Sequence, residues 1–312
     1  MARLVFVMPK PDAPTGGNRA TCRHAQALAQ MGYDAVVRIP NDKSPPRWFA
    51  HDAPIDAWAG PPAPDEILII SEDATPVLAA CATLPNRKVI HCKNPYFAAA
   101  GALAALPPEV RGAYRHFIAC SDLVAAWLAR YFDHDVVGTV PSWVDGRVFR
   151  PREKARVIAC MPRKRTLEAA AIRGMFERLN TAPGWTWDLI DGRPERETAE
   201  ALGRAAVYLS LARFEGMSTS ILEGMSSGCI VAGFTGIGAR EYATPLNGLW
   251  VEEDDCEAAA RALVRAVEIV EADGAEAALM RAAGRRTAAA WSEPAFLAAL
   301  ERFWREDMAL AP

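Results

Sequence analysis

The stretch whose reading decides the fold runs from Ala206 to Phe234, AVYLSLARFEGMSTSILEGMSSGCIVAGF. It opens and closes on short apolar runs, AVYLSL (Ala206 to Leu211) and CIVAGF (Cys229 to Phe234), which read as buried strands. ARFEGMSTS leaves the carboxyl end of the first strand, and Ser220 to Ser227 forms a short helix that ends where Gly228 supplies a C-cap. Strand, helix and strand in this order are the signature of parallel strands joined by a crossover. The tripeptide Glu-Gly-Met occurs twice in the connection, so two carboxylates, Glu215 and Glu223, flank a run of small and apolar residues. Ser220-x-x-Glu223 has the spacing of a capping box, which would explain Glu223 by backbone satisfaction worth about 0.5–2 kcal/mol. It leaves Glu215 needing solvent or a polar ligand.

The same alternation extends outward in both directions. Toward the N-terminus, RLVFVM (Arg3 to Met8), DAVVRI (Asp34 to Ile39), EILIIS (Glu66 to Ser71), KVIHC (Lys88 to Cys92) and HFIACS (His116 to Ser121) read as strands. Helices are expected over Arg19 to Gly32 and Asp122 to Phe132, and the proline-rich Pro40 to Pro64 is expected to be irregular with one short strand. The pattern restarts at RVIACM (Arg156 to Met161), continues through WTWDLID (Trp185 to Asp191) and GLWV (Gly248 to Val251), and finishes in Ala/Glu/Arg-rich helices. The expected architecture is therefore α/β with two Rossmann-like doubly wound domains, over 1–151 and 152–292, followed by a C-terminal helix in 293–312. Ligands of such folds lie at the carboxyl ends of the strands.

Composition narrows the function classes. A net charge of -3 and a pI near 6.0 argue against a nucleic-acid partner, which selects for a basic face. The seven cysteines are scattered without a C-x-x-C pair, as expected of reduced thiols in a cytoplasmic protein rather than of a zinc site. No window approaches the roughly 18 unbroken apolar residues of a membrane span, and Leu4 to Met8 is too short for a signal-peptide core.

Four further segments carry candidate chemistry. PTGGNRATCRH (Pro14 to His24) places Gly16 and Gly17 between the first strand and the first helix, where backbone amides can approach a phosphate. Without G-x-G-x-x-G it is no dinucleotide fingerprint, and two glycines also make a flexible turn. MPRKR (Met161 to Arg165) puts three cations directly after a strand, suited to a diphosphate at an interdomain crevice or to a solvated loop. His91 ends the strand KVIHC, either at the ligand edge of the sheet or packed between strands. GFTGIGARE (Gly233 to Glu241) supplies a tight glycine loop after another strand.

Taken together, Glu215 to Glu223, the Gly16-Gly17 loop, HFIACS, VPSWVDGRVFRP (Val140 to Pro151), MPRKR and Gly224 to Gly228 resemble the retaining glycosyltransferases of family 4, whose E-x7-E motif the two glutamates match. That resemblance implies the GT-B fold, two Rossmann-like domains facing across a cleft with the C-terminal helix crossing back to the first. It implies transfer of a sugar from a UDP- or GDP-linked donor to a hydroxyl of a glycan, lipid-linked or small-molecule acceptor, with retention of configuration and no metal or other cofactor. By the same resemblance, His91 and Glu215 are the catalytic residues. Gly16, Gly17, Arg163, Lys164, Gly216, Met217, Ser218, Thr219 and Glu223 bind the donor, with Glu223 on the ribose. A cytoplasmic location, with peripheral attachment to the inner face of the membrane, fits similar enzymes. The sequence departs from the family where EGMSTS stands for the usual EGFGLP and where the basic residues are contiguous. A nucleotide-sugar epimerase and a non-catalytic glycan-binding or partner-stabilising relative are the alternatives.

Overall fold

The computed structural model describes residues 2–312. The chain divides into two compact units, Met1–Ser142 with Pro294–Pro312, and Trp143–Glu293.

Unit 1 is built from β1 (Leu4–Val7), α1 (Gly16–Gln30), β2 (Ala35–Ile39), β3 (Ile55–Ala57), β4 (Ile67–Ser71), α2 (Thr75–Cys81), β5 (Lys88–Cys92), α3 (Pro95–Ala100), α4 (Ala102–Ala105), α5 (Pro108–Arg111), β6 (His116–Ala119), α6 (Asp122–Tyr131) and β7 (Val136–Thr139). Its seven strands form one sheet in the order β3-β2-β1-β4-β5-β6-β7, parallel throughout. Strands β1, β2 and β5 are buried at every residue, which is why they read as largely apolar runs, broken only by buried Arg38 in β2 and by Lys88 and His91 in β5. The irregular segment after β2 contains one short exposed strand, β3, as its prolines require.

One local expectation is corrected. Gly16 and Gly17 are not a loop ahead of the helix: Thr15 is the N-cap, its side chain accepting from the Asn18 N–H at 3.2 Å, so both glycines form the first turn of α1. The capping hydroxyl starts the helix three residues earlier than the apolar periodicity indicates.

Unit 2 comprises β8 (Ala155–Cys160), α7 (Thr166–Leu179), β9 (Thr186–Leu189), α8 (Glu195–Arg204), β10 (Ala205–Ala212), α9 (Thr219–Ser226), β11 (Ile230–Thr235), β12 (Leu249–Val251), α10 (Cys256–Ala272) and α11 (Ala275–Ala290). The five strands are parallel in the order β12-β11-β10-β8-β9. Ile158, Val207, Leu209, Ile230 and Phe234 from the sheet pack with Phe176 of α7 and Leu263 and Val267 of α10 in one core cluster. Segment 143–151, which the sequence pattern groups with the first half, is hydrogen-bonded into this unit. The Val144 N–H donates to the Trp291 carbonyl at 3.0 Å, and Ser226 Oγ donates to the Phe149 carbonyl at 2.6 Å.

The last element, α12 (Glu293–Arg302), continues into a wide helical turn at Phe303–Asp307. Trp304 is fully buried, Arg87 Nη1 donates to the Met308 carbonyl and Tyr33 OH to the Leu310 carbonyl, both at 3.1 Å. Gly138 in β7 makes room for this segment, since a Cβ there would overlap the Phe303 ring.

Candidate active site

In an open parallel sheet, loops diverge where the strand order reverses, and the opening between them is the binding position. In unit 2 the reversal lies between β8 and β10, the two strands that flank it in the order β12-β11-β10-β8-β9. The loop after β8 carries Arg163, Lys164 and Arg165, and the loop after β10 carries Glu215 through Ser218. Topology alone therefore makes neighbours of two segments fifty residues apart in the chain. The contact is direct: Lys164 Nζ lies 2.5 Å from Glu215 Oε1, and Glu215 Oε2 accepts the Arg213 N–H at 2.9 Å. Burial pushes the Glu215 carboxyl up, but Lys164 and the Arg213 amide outweigh it and hold the group below its ordinary range. Glu215 keeps 30% of its side chain exposed and Lys164 50%, so both remain reachable by a ligand.

The three contiguous cations separate in space. Arg163 is exposed. Arg165 turns inward with its side chain wholly buried, pairing with Glu253 at 2.7 Å and Asp254 at 2.9 Å and placing its guanidinium 4.6 Å from the Phe234 ring centroid. Glu253 also accepts the Gly236 N–H at 2.7 Å. Arg165 is thus a tie between the loops after β8, β11 and β12, leaving Arg163 and Lys164 as the cations a diphosphate can meet.

Glu223 is 4% exposed in the second turn of α9. The capping box expected for it is absent. Helix α9 begins one residue earlier, with Ser218 at the N-cap and no side-chain cap bond, so Glu223 falls beyond the position from which it could close a box. Burial drives the Tyr208 and Tyr242 hydroxyls up, and the Glu223 charge adds to it. Ser218 Oγ is buried without a hydrogen-bond partner among the described residues, while the Ser218 carbonyl accepts from Tyr242 OH at 2.9 Å. An N-terminus without a side-chain cap, at the ligand edge of the sheet, leaves first-turn amides of Thr219 and its neighbours to an anion.

The loop Glu215-Gly216-Met217 is braced from behind by the glycine loop after β11. The Gly238 N–H donates to the Glu215 carbonyl and the Ile237 N–H to the Arg213 carbonyl, each at 2.9 Å. The two backbones approach so closely that a Cβ on Gly238 would lie 2.6 Å from Met217 N. Met217 itself is 7% exposed, so its side chain belongs to the core.

In unit 1 the reversal lies between β1 and β4. There Gly17 approaches Lys93 so closely that a Cβ on the glycine would sit 3.1 Å from Lys93 Cε. Lys93 Nζ donates to Ser71 Oγ at 2.9 Å and to the His91 carbonyl at 3.2 Å and pairs with buried Glu72 at 3.5 Å. Burial raises the Glu72 carboxyl and Lys93 pulls it partly back. His91 is 2% exposed, its ring 4.4 Å from that of His24. Structure therefore joins Gly17 and His91 through Lys93, which the sequence reading passed over although it lies two residues beyond His91 at the same strand end. Among the described residues, no three His, Cys, Asp or Glu side chains are grouped to hold a metal ion, and no helix is long and apolar enough to cross a membrane.

Solved structures share this fold over the whole chain. Sucrose-phosphate synthase from Thermosynechococcus elongatus superposes with a TM-score of 0.71 over 100% of both chains at 14% identity. HepE from Anabaena, solved with UDP and glucose, gives 0.71 over 99% of this chain and 100% of its own at 12% identity. The fold is that of the GT-B glycosyltransferases. Residues 162–268 of unit 2 match the family model of the glycosyl transferases group 1, a span that starts at the Arg163–Lys164 loop and includes Glu215 and Glu223. In sequence the chain is similar to an alpha-1,6-glucosyltransferase of Actinobacillus pleuropneumoniae serotype 7 (strain AP76), 24% identical over 277 residues, 81% of this chain and 80% of that protein.

Proposed function

We propose that this glycosyltransferase is a retaining, metal-independent hexosyltransferase that takes a UDP-linked sugar, glucose being the first candidate, and transfers it to an acceptor hydroxyl in glycan or glycolipid synthesis. The observation that carries this reading is the Lys164–Glu215 pair at the strand-order reversal of unit 2. A sugar with its diphosphate needs a carboxylate acceptor for hydroxyls and a cation for phosphate at adjacent points, and this pair supplies both. UDP is the first nucleotide to test because HepE was solved with UDP and glucose.

As the bond from the anomeric carbon to the diphosphate breaks, negative charge grows on the leaving phosphate. Arg163, Lys164 and the amides of Gly216 to Thr219 stabilise that charge because they are oriented before it appears. Glu215 binds the sugar hydroxyls and holds Lys164, Glu223 binds the ribose hydroxyls, and Gly16 and Gly17 offer helix-start amides to phosphate. His91 meets a sugar hydroxyl. The departing phosphate takes the acceptor proton on the face it leaves, so configuration is retained without a covalent protein intermediate.

The first experiment is a thermal-shift and calorimetric panel of UDP, GDP, ADP and their glucose conjugates. UDP-glucose at 100 times its Kd is expected to add about 2.7 kcal/mol of apparent stability, with GDP and ADP giving little. A protein that none of the nucleotides shifts would rule the reading out. The product anomer, read by NMR from an α-linked donor, tests retention. Glu223→Gln separates ribose binding from a purely structural role. Because no capping box exists to lose, nucleotide affinity is expected to fall tenfold or more, about 1.4 kcal/mol. Unchanged UDP affinity would remove Glu223 from the site.

A further inference from the structure

Among the buried polar side chains of unit 1, His24 is the one that packing does not explain. It lies on the buried face of α1 with Ala20, Ala25, Ala27 and Leu28, where an aliphatic side chain would fill the space without bringing two ring nitrogens inside. Its ring stands 4.4 Å from that of His91 at 43°. Phe296 of α12 closes it edge-on at 5.1 Å, and Phe6 of β1 at 6.1 Å. Four elements, α1, β1, β5 and α12, thus converge on one pair of imidazoles. His24 is 1% exposed and His91 2%, and Nδ1 of each is sealed without a hydrogen-bond partner among the described residues. The charged group facing both rings is Lys93, whose ammonium donates to the His91 carbonyl at 3.2 Å.

We propose that His24 is a positioning residue for His91, fixing the rotation of its ring so that Nε2 is the nitrogen presented to a substrate hydroxyl. The tilted stack resists rotation of His91 about Cβ–Cγ, because turning that ring would drive its edge into the imidazole of His24, itself gripped by two phenyl rings. Burial first, and Lys93 second, hold His24 down to about 3; burial, Lys93 and His24 hold His91 well below its ordinary value. Both rings are consequently neutral at working pH, and His91 meets its ligand as an uncharged hydrogen-bonding group. This inference rests on the role given to His91 above.

The test uses the full-length chain labelled with nitrogen-15, reading the imidazole resonances of His91 between pH 5.5 and 8, alongside turnover of UDP-glucose. In the parent, His91 is expected to give one sharp set of neutral signals that does not titrate. His24→Ala opens a polar space that water can enter, so His91 should begin to titrate within that range, and kcat should fall at least tenfold with KM changed less than threefold. His24→Phe restores the ring face and should return both properties toward the parent. Should His24→Ala fail to fold, Phe296→Leu, which loosens the same stack from α12, carries the measurement and should broaden the His91 signals. Unchanged, untitrating His91 resonances in His24→Ala or Phe296→Leu overturn the positioning role. Parental turnover in His91→Ala overturns instead the catalytic role of His91, a separate failure because the resonances are read without substrate.

Discussion

Glu215→Gln is expected to lower sugar-transfer turnover about a hundredfold or more, while the protein melts within a few degrees of the parent. The small stability effect follows from exposure. With 30% of Glu215 and 50% of Lys164 open to solvent, their ion pair is worth no more than about 1 kcal/mol, and the amide oxygen of Gln can still accept the Arg213 N–H. The large kinetic effect follows from position. Removing one preorganised electrostatic group from a site of developing charge costs roughly 10²–10³ in kcat, and this change both uncharges the group proposed to bind the sugar and releases Lys164 from its fixed place. The folded carboxyl lies below its ordinary range because Lys164 and the Arg213 amide outweigh burial. Its stabilising contribution is therefore complete above the unfolded pKa, is lost as pH falls through the folded one, and is missing from the variant. Steady-state kinetics with UDP-glucose, together with melting curves, decide the matter. Turnover within threefold of the parent would remove Glu215 from the chemistry.

Gly238→Ala should damage the same loop from behind. The added Cβ would lie 2.6 Å from Met217 N and Cα and 2.7 Å from Gly216 C. These are backbone atoms, which cannot rotate aside as a side-chain tip does, so the loop after β10 must shift relative to the turn after β11. Overpacking of this kind costs about 1–3 kcal/mol. The hydrogen bond from Gly238 N–H to the Glu215 carbonyl would move with it. Calorimetry is expected to show UDP binding at least tenfold weaker, and fluorimetry a melting temperature several degrees lower. Gly274→Ala is the control, since a Cβ there meets nothing closer than 3.8 Å. If Gly238→Ala binds UDP like the parent, the glycine loop does not brace the site.

Much of this organisation is legible in the residues. The alternation of apolar runs and helical patterns reports eleven of the twelve strands in the two parallel sheets, because strands buried on both faces, such as β10, leave no polar register to confuse the reading; the half-buried edge strand β7 carries no such run and escapes it. Glu215 in the loop after β10 stands out because no capping motif in the sequence accounts for it. Local chemistry misleads where a competing local motif exists. Ser220-x-x-Glu223 has capping-box spacing, yet Ser218 starts the helix, and Thr15 draws Gly16 and Gly17 into α1.

Sequence by itself determines the alternation of elements, the strand ends at which ligands bind, and the residue types placed there. Which of those residues meet is decided by tertiary structure. Arg163, Lys164 and Arg165 are indistinguishable in the chain; only the approach of Glu253 and Asp254, nearly ninety residues away, withdraws Arg165 into the core and leaves Lys164 for Glu215. Lys93 and His24 become visible for the same reason, since their partners Gly17 and His91 lie on other elements. Short-range pattern fixes the direction and burial of each element, because backbone hydrogen bonding and hydrophobic periodicity act over a few residues. Charge pairing and ring contact act through space, and parallel crossovers make distant segments neighbours at the sheet edge.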